Sequence, residues 1–145
     1  MPAPVNIKKI LVPLSGGSSD EKAIKLACNL AKKPKAKVCV AYVIEVGRDL
    51  PLDTPVDSET EKAEEILSHA EDIAAKADYN IETDLLQARE TGPAIIDEAI
   101  GKGVDLIVMG IDYKKRLGVF DLGQTVPYIF KEAHCQILLY RGPIS

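Results

Sequence analysis

Long hydrophobic runs are missing from this 145-residue chain. The most apolar stretches, at 105–110 and 136–140, fall far short of the ~20 residues a membrane helix needs. The opening Met-Pro-Ala-Pro lacks a charged region followed by an apolar one, so no signal peptide is expected and the protein is expected in the cytoplasm. Cysteine is scarce. Cys28, Cys39 and Cys135 lie far apart, with no CxxC and no histidine at ligand spacing. That pattern supports neither a disulfide framework nor a zinc site, and predicts reduced, mostly buried thiols. His69 and His134 fall in or beside expected helices and read as surface or helix-end residues. The common nucleotide and hydrolase signatures GxGxxG, GxxxxGK(S/T) and GxSxG are absent as well. Glu45, Asp49, Asp112 and Asp121 are loop carboxylates. None identifies itself as a general base, so no catalytic residue is expected.

What is present is an ordinary globular mixture, 46% hydrophobic and 28% charged. It predicts one domain over residues 1–145 with a full-sized core. The net charge of −4 argues against wholesale nucleic-acid binding. Charge is uneven along the chain: residues 45–84 hold thirteen acids and three bases, a balance of −10, and the remainder balances at +6. The acidic segment reads as a solvated helix face plus a loop.

Periodicity lays out the elements. Lys8–Leu14, Lys37–Ile44 and Val104–Met109 are apolar without alternation, as strands buried on both faces are. Ile81–Ala88 alternates weakly and predicts an outer strand, and Gln136–Arg141 the last strand. Ser18 and Glu21 have capping-box spacing, so a helix is expected there, with Ile24, Ala27, Cys28 and Ala31 facing inward and Pro34 ending it. Pro51 and Pro55 mark the loop Gly47–Asp57. A longer helix is expected from Ser58 to Ala77, with Ala63, Ile66, Leu67, Ala70, Ile73, Ala74 and Ala77 on one face. Thr91 is the expected cap of a third helix, with Ile95, Ile96, Ala99 and Ile100 inward and Gly101 or Gly103 at its end. Ile111–Leu122 is expected to be a loop, and Thr125–Ala133 a short helix. The order βαβαβαβαβ implies an α/β fold with a parallel sheet covered by helices on both sides.

In such a sheet, ligands bind beyond the carboxyl ends of the strands. Pro13–Gly17, Ile44–Gly47 and Gly110–Thr125 converge there. Gly110 ends a buried strand and permits a close backbone approach. Gly123 stands just before a helix N-terminus, where exposed N–H groups and the helix dipole favour an anion such as a phosphate. Lys114, Lys115 and Arg116 lie between them; they are either direct charge for that anion or a solvated cluster. The turn Ser15-Gly16-Gly17-Ser18-Ser19 reads either as a phosphate-cradling loop or as a tight turn with an N-cap.

The opening KKILVPLSGG, the strand VCVAYVI, the stretch GPAIIDEAIGKGVDLIVMG and the close LGQTVPYIFKEAHCQILLYR resemble the universal stress protein family. The likeness runs from Lys8 to Arg141. The style is closest to members fused to, or encoded beside, membrane transporters, which makes a transporter one candidate partner. The resemblance implies an open five-stranded parallel sheet, Rossmann-like, in the order 3-2-1-4-5. It also implies a homodimer paired through the last strand, Gln136–Arg141. Nucleotide-binding members hold ATP with G-x2-G-x9-G-(S/T). Laid on this chain, that frame begins at Gly110, puts Tyr113 at the second glycine, reaches Gly123, and has Gln124 then Thr125 at the hydroxyl position. The family's adenosine-contacting aspartate falls on Ser15, and Val43 falls where the backbone flanks adenine.

The resulting expected ligand residues are Pro13, Leu14, Ser15 and Gly16 after the first strand, Val43 on the second, Met109 and Gly110 on the fourth, then Tyr113, Lys114 and Arg116, and finally Gly123, Gln124 and Thr125. The expected ligand is an adenine nucleotide, ATP or AMP, with any magnesium held by its phosphates. The departures at Ser15, Tyr113 and Gln124 argue against tight ATP binding. They keep a second reading open, a nucleotide-free dimerisation or partner-binding module. Slow ATP hydrolysis is the most that the resemblance implies of turnover. A third reading comes from Ser15–Asp20, which looks like the SGGxDS loop of ATP-pyrophosphatases with its last two residues exchanged.

Overall fold

The computed structural model describes residues 6–112, 115–116, 119–120 and 122–143. Strand β1 (Lys9–Pro13) lies at the centre of a five-stranded sheet. Helix α1 (Ser19–Lys32) leads to β2 (Lys37–Glu45), and α2 (Asp57–Lys76) leads to β3 (Ile81–Ala88). Helix α3 (Thr91–Lys102) then crosses to β4 (Leu106–Ile111) on the other side of β1. Two short strands, β5 (Lys115–Arg116) and β6 (Val119–Phe120), precede α4 (Thr125–Glu132) and β7 (Gln136–Arg141).

The sheet order is β3-β2-β1-β4-β7, with every neighbouring pair parallel. This is the expected 3-2-1-4-5 arrangement, because β7 is the fifth strand of the sheet. Strand alternation divides the core in two. Ile10 and Val12 of β1 face α1 and α2, where they meet Ile24, Ala27, Ala63 and Leu67. Leu11 faces α3 and α4, where it meets Ile95, Ile107 and Ile129. Strands buried on both faces need apolar residues at consecutive positions, and β2 is buried without a break from Val38 to Ile44. Strand β3 is an edge and alternates.

Four local expectations are corrected. The capping box does not form: Ser18 precedes α1 in helical geometry with no side-chain cap bond, and its Oγ donates to Asp112 Oδ1 at 2.8 Å. Thr91 does not cap α3. It is the first helical residue, and its N–H and Oγ both donate to Glu45 at 2.9 Å. Ile100 is not inward but 59% exposed. The 111–122 segment is not a plain loop, since β5 and β6 pair antiparallel within it. Gly103, with φ +65°, is the residue that ends α3.

Candidate functional site

The crossover from one side of β1 to the other opens a crevice between the ends of β1 and β4, as parallel sheets of this kind do. A cleft of about 680 Å³ lies there. That volume is within the range of small-molecule sites. Tyr42, Val43 and Ile44 give it an apolar wall at the end of β2, and Met109 and Val126 add more apolar surface. Polar groups enter from Ser15, Ser19, Thr91 and Thr125.

Of the expected residues, Pro13, Leu14, Ser15, Val43, Met109, Gly110, Gly123 and Thr125 all line this cleft. Gly16 lines a smaller hollow between α1 and α2 instead. Gln124 is the residue before α4 and has no side-chain cap bond. Tyr113 and Lys114 lie outside the described residues, as do the side chains of Lys115 and Arg116. The sequence reading missed Glu59 and Thr91, each on the first turn of a helix whose N-terminus reaches the cleft.

Charge at the helix ends is arranged tightly. Asp20 sits behind the first loop and collects its donors: Ser15 N–H at 3.0 Å, Gly16 N–H at 2.8 Å and Ser15 Oγ at 3.2 Å. Gly17 N–H donates to Ser15 Oγ at 3.1 Å. The Ser15, Gly16 and Gly17 amides are therefore engaged within the turn, as in the tight-turn alternative. Burial raises the Asp20 carboxyl, against the bonds from Ser15 and Gly16 that lower it; nearby Asp112 raises it further. Glu45 fills the N-terminus of α3. The first turn of helix α4, like that of α3, carries no acid of its own. Gly123, at φ +72°, turns the chain into it, a conformation that costs a residue with a side chain energy.

Gly110 has a reason other than ligand approach. A Cβ there would lie 2.6 Å from the Ser19 carbonyl oxygen, so the start of α1 packs directly on β4. Three carboxylates, Glu45, Glu59 and Asp112, line the cleft.

A second cluster lies on the α3 face of the sheet. Lys102 Nζ bonds to Asp84, lies 3.3 Å from Cys39 Sγ, and lies 3.7 Å from both Glu82 and Glu98. Burial, then a bond to Asp84, pushes Glu98 up to about 7, while that same bond holds Asp84 low. Burial pushes the Cys39 thiol up to about 12. Cys39, Asp84 and Glu98 come close enough to suggest a metal site. The Lys102 ammonium already supplies the positive charge at that point, so the cluster reads as an ion network that fastens α3 to β2 and β3.

Residues 6–141 match the family model described as the universal stress protein family. The chain belongs to that family. A universal stress protein of Methanocaldococcus jannaschii is 31% identical over 142 residues, covering 94% of this chain and 83% of that one. The universal stress protein of Archaeoglobus fulgidus in complex with dAMP superposes with a TM-score of 0.74 at 21% identity, covering 92% and 98%. An Arabidopsis thaliana family member with AMP bound gives a TM-score of 0.66 at 13% identity, covering 94% and 92%. The fold is thus common to this chain and both solved structures. No described helix is long and apolar enough to cross a membrane.

Proposed function

We propose that this universal stress protein is a regulatory module that binds an adenine nucleotide, AMP or ATP, in the cleft at the carboxyl edge of its sheet. The observation that carries the reading is the cleft itself: an apolar wall at Tyr42–Ile44 on one side, and the acid-free first turn of α4 on the other. A flat base suits the first and a phosphate the second. The dAMP and AMP complexes of the two structural neighbours support the same ligand class. The residues proposed to touch the nucleotide are Pro13, Leu14, Ser15, Val43, Met109, Gly110, Gly123 and Thr125, with Gln124 beside the phosphate. Lys114 and Arg116 are proposed to approach it from the 111–122 segment. Binding, not turnover, is the proposed job: the hydroxyl–carboxylate pairs at the cleft, Thr91 with Glu45 and Ser15 with Asp20, fasten a helix start and a turn. Titration calorimetry on ligand-stripped protein with AMP, ATP and cyclic AMP tests this. Heat from AMP at micromolar to millimolar ligand supports it, and silence from all three ends it.

The proposed assembly is a homodimer through β7. That strand is the outer edge of the sheet beyond β4, and Leu138 on it is exposed. An unpaired strand edge offers backbone donors and acceptors to a second copy.

A further inference from the structure

Ser15 is a hydroxyl whose hydrogen bonds are already half assigned. Its Oγ accepts from Gly17 N–H at 3.1 Å and donates to Asp20 Oδ1 at 3.2 Å. A hydroxyl has one proton and two lone pairs. With the proton committed to Asp20 and one lone pair to Gly17, a single lone pair remains. Ser15 lines the cleft, and Asp20 does not; Asp20 lines the hollow on the α1–α2 side. Ionised, Asp20 only accepts; it also takes Ser15 N–H and Gly16 N–H, and turning the Ser15 hydroxyl away would break its own bonds to Gly17 and Asp20.

Strand order says what meets that lone pair. The apolar wall at Val43 belongs to β2, and the α4 end lies beyond β4. Strand β1, which carries Ser15 at its end, runs between β2 and β4. In a nucleotide, the sugar joins base to phosphate, so it spans the middle of the cleft, over Ser15. We infer that Asp20 is a specificity-determining positioning residue: by taking the Ser15 proton it makes Ser15 an acceptor for a ribose hydroxyl of the bound nucleotide. This rests on the nucleotide reading above and extends it to a residue that never touches the ligand. The carboxylate charge stays outside the cleft, and the sugar meets a neutral oxygen oriented by that charge.

The test compares AMP with 2′,3′-dideoxyadenosine monophosphate by calorimetry on the full chain. One neutral hydrogen bond corresponds to about two- to twelvefold in affinity. The wild type is expected to prefer AMP by about that factor. Ser15→Ala is expected to bind both ligands equally. Asp20→Asn is expected to narrow the preference, and in the Ser15→Ala background to change it no further. A purely structural role for Asp20 would weaken both ligands alike and leave their ratio unchanged. If Asp20→Asn does not fold, Asp20→Ser, which keeps a small polar residue at the start of α1, replaces it. An AMP preference that survives at its wild-type value in Ser15→Ala, or with Asp20 replaced, overturns the inference and leaves the nucleotide reading standing. No binding of AMP to the wild type overturns both.

Discussion

Glu98 shows how one side chain can tie stability to pH. On half-buried Glu98 of α3, packed against Asp84, the carboxyl is pushed up to about 7 from its ordinary 4.5. Between those values the folded chain holds a proton that the unfolded chain releases. Stability therefore falls as pH rises through this window, and levels off above it. Asp84 works the other way: its lowered carboxyl contributes stability that is lost as pH falls below its ordinary 3.8. Glu98→Gln is expected to flatten the neutral-side slope, read as the urea midpoint across that pH range. A slope equal to that of the wild type would mean Glu98 is ionised throughout. Gly110 gives a second prediction at this scale. A methyl group there meets backbone, the Ser19 carbonyl, and backbone cannot rotate away. Gly110→Ala is expected to cost about 1–3 kcal/mol in urea unfolding, as overpacking does. A cost near zero would show that α1 rides easily over β4.

Helix beginnings in this fold are fastened by other parts of the chain. Glu45, at the end of β2, takes the N–H and hydroxyl of Thr91, forty-six residues later in sequence. The carboxylate satisfies an amide that has no partner within the helix and meets the positive end of the α3 dipole. Glu45→Ala is expected to lose about 1 kcal/mol of stability, comparable to removal of a local cap. Amide exchange at Thr91 should accelerate with it. Unchanged exchange at Thr91 would show that solvent replaces Glu45 without loss. Helix α1 is entered in a related way. Asp20 gathers the loop amides from within the first turn, and Ser18, the cap suggested by spacing, reaches across to Asp112 instead. That bond ties the end of β4 to the turn after β1, the two lips of the cleft.

At the scale of the whole molecule, the sheet separates functions by edge. Its carboxyl edge holds the cleft. Its α3 face holds the Lys102 network. Its outer strand β7 is the surface proposed for self-association. Leu138→Lys is expected to give a monomer by sedimentation velocity while far-UV circular dichroism stays unchanged, because that exposed residue carries little of the core. A dimer that persists would place the contact elsewhere. The acidic segment 45–84 spans the loop before α2, all of α2 and the start of β3. Helix α2 buries Ala63, Leu67, Ala70, Ile73 and Ala74, and Glu61, Glu64 and Glu65 stay exposed, as a solvated face requires.

The order of strands and helices, the two-sided burial of β1, β2 and β4, and the edge position of β3 were written in the sequence. Each follows from local periodicity, which any stretch of a dozen residues displays. The same locality put Pro13, Val43 and Gly110 at the carboxyl ends of strands, where parallel sheets open their crevices. Tertiary structure alone decided the pairings between distant charges. Glu45 with Thr91, Ser18 with Asp112, and Lys102 with Cys39 and Asp84 join residues far apart in the chain, and no spacing rule reaches that far. It also turned Ile100 outward, although its helical position matches the buried stripe. The physical reason is common to all of these. Hydrophobic pattern fixes which face of an element is covered, whereas a hydrogen bond or ion pair depends on a few ångströms of relative placement, which exist only once the elements have packed.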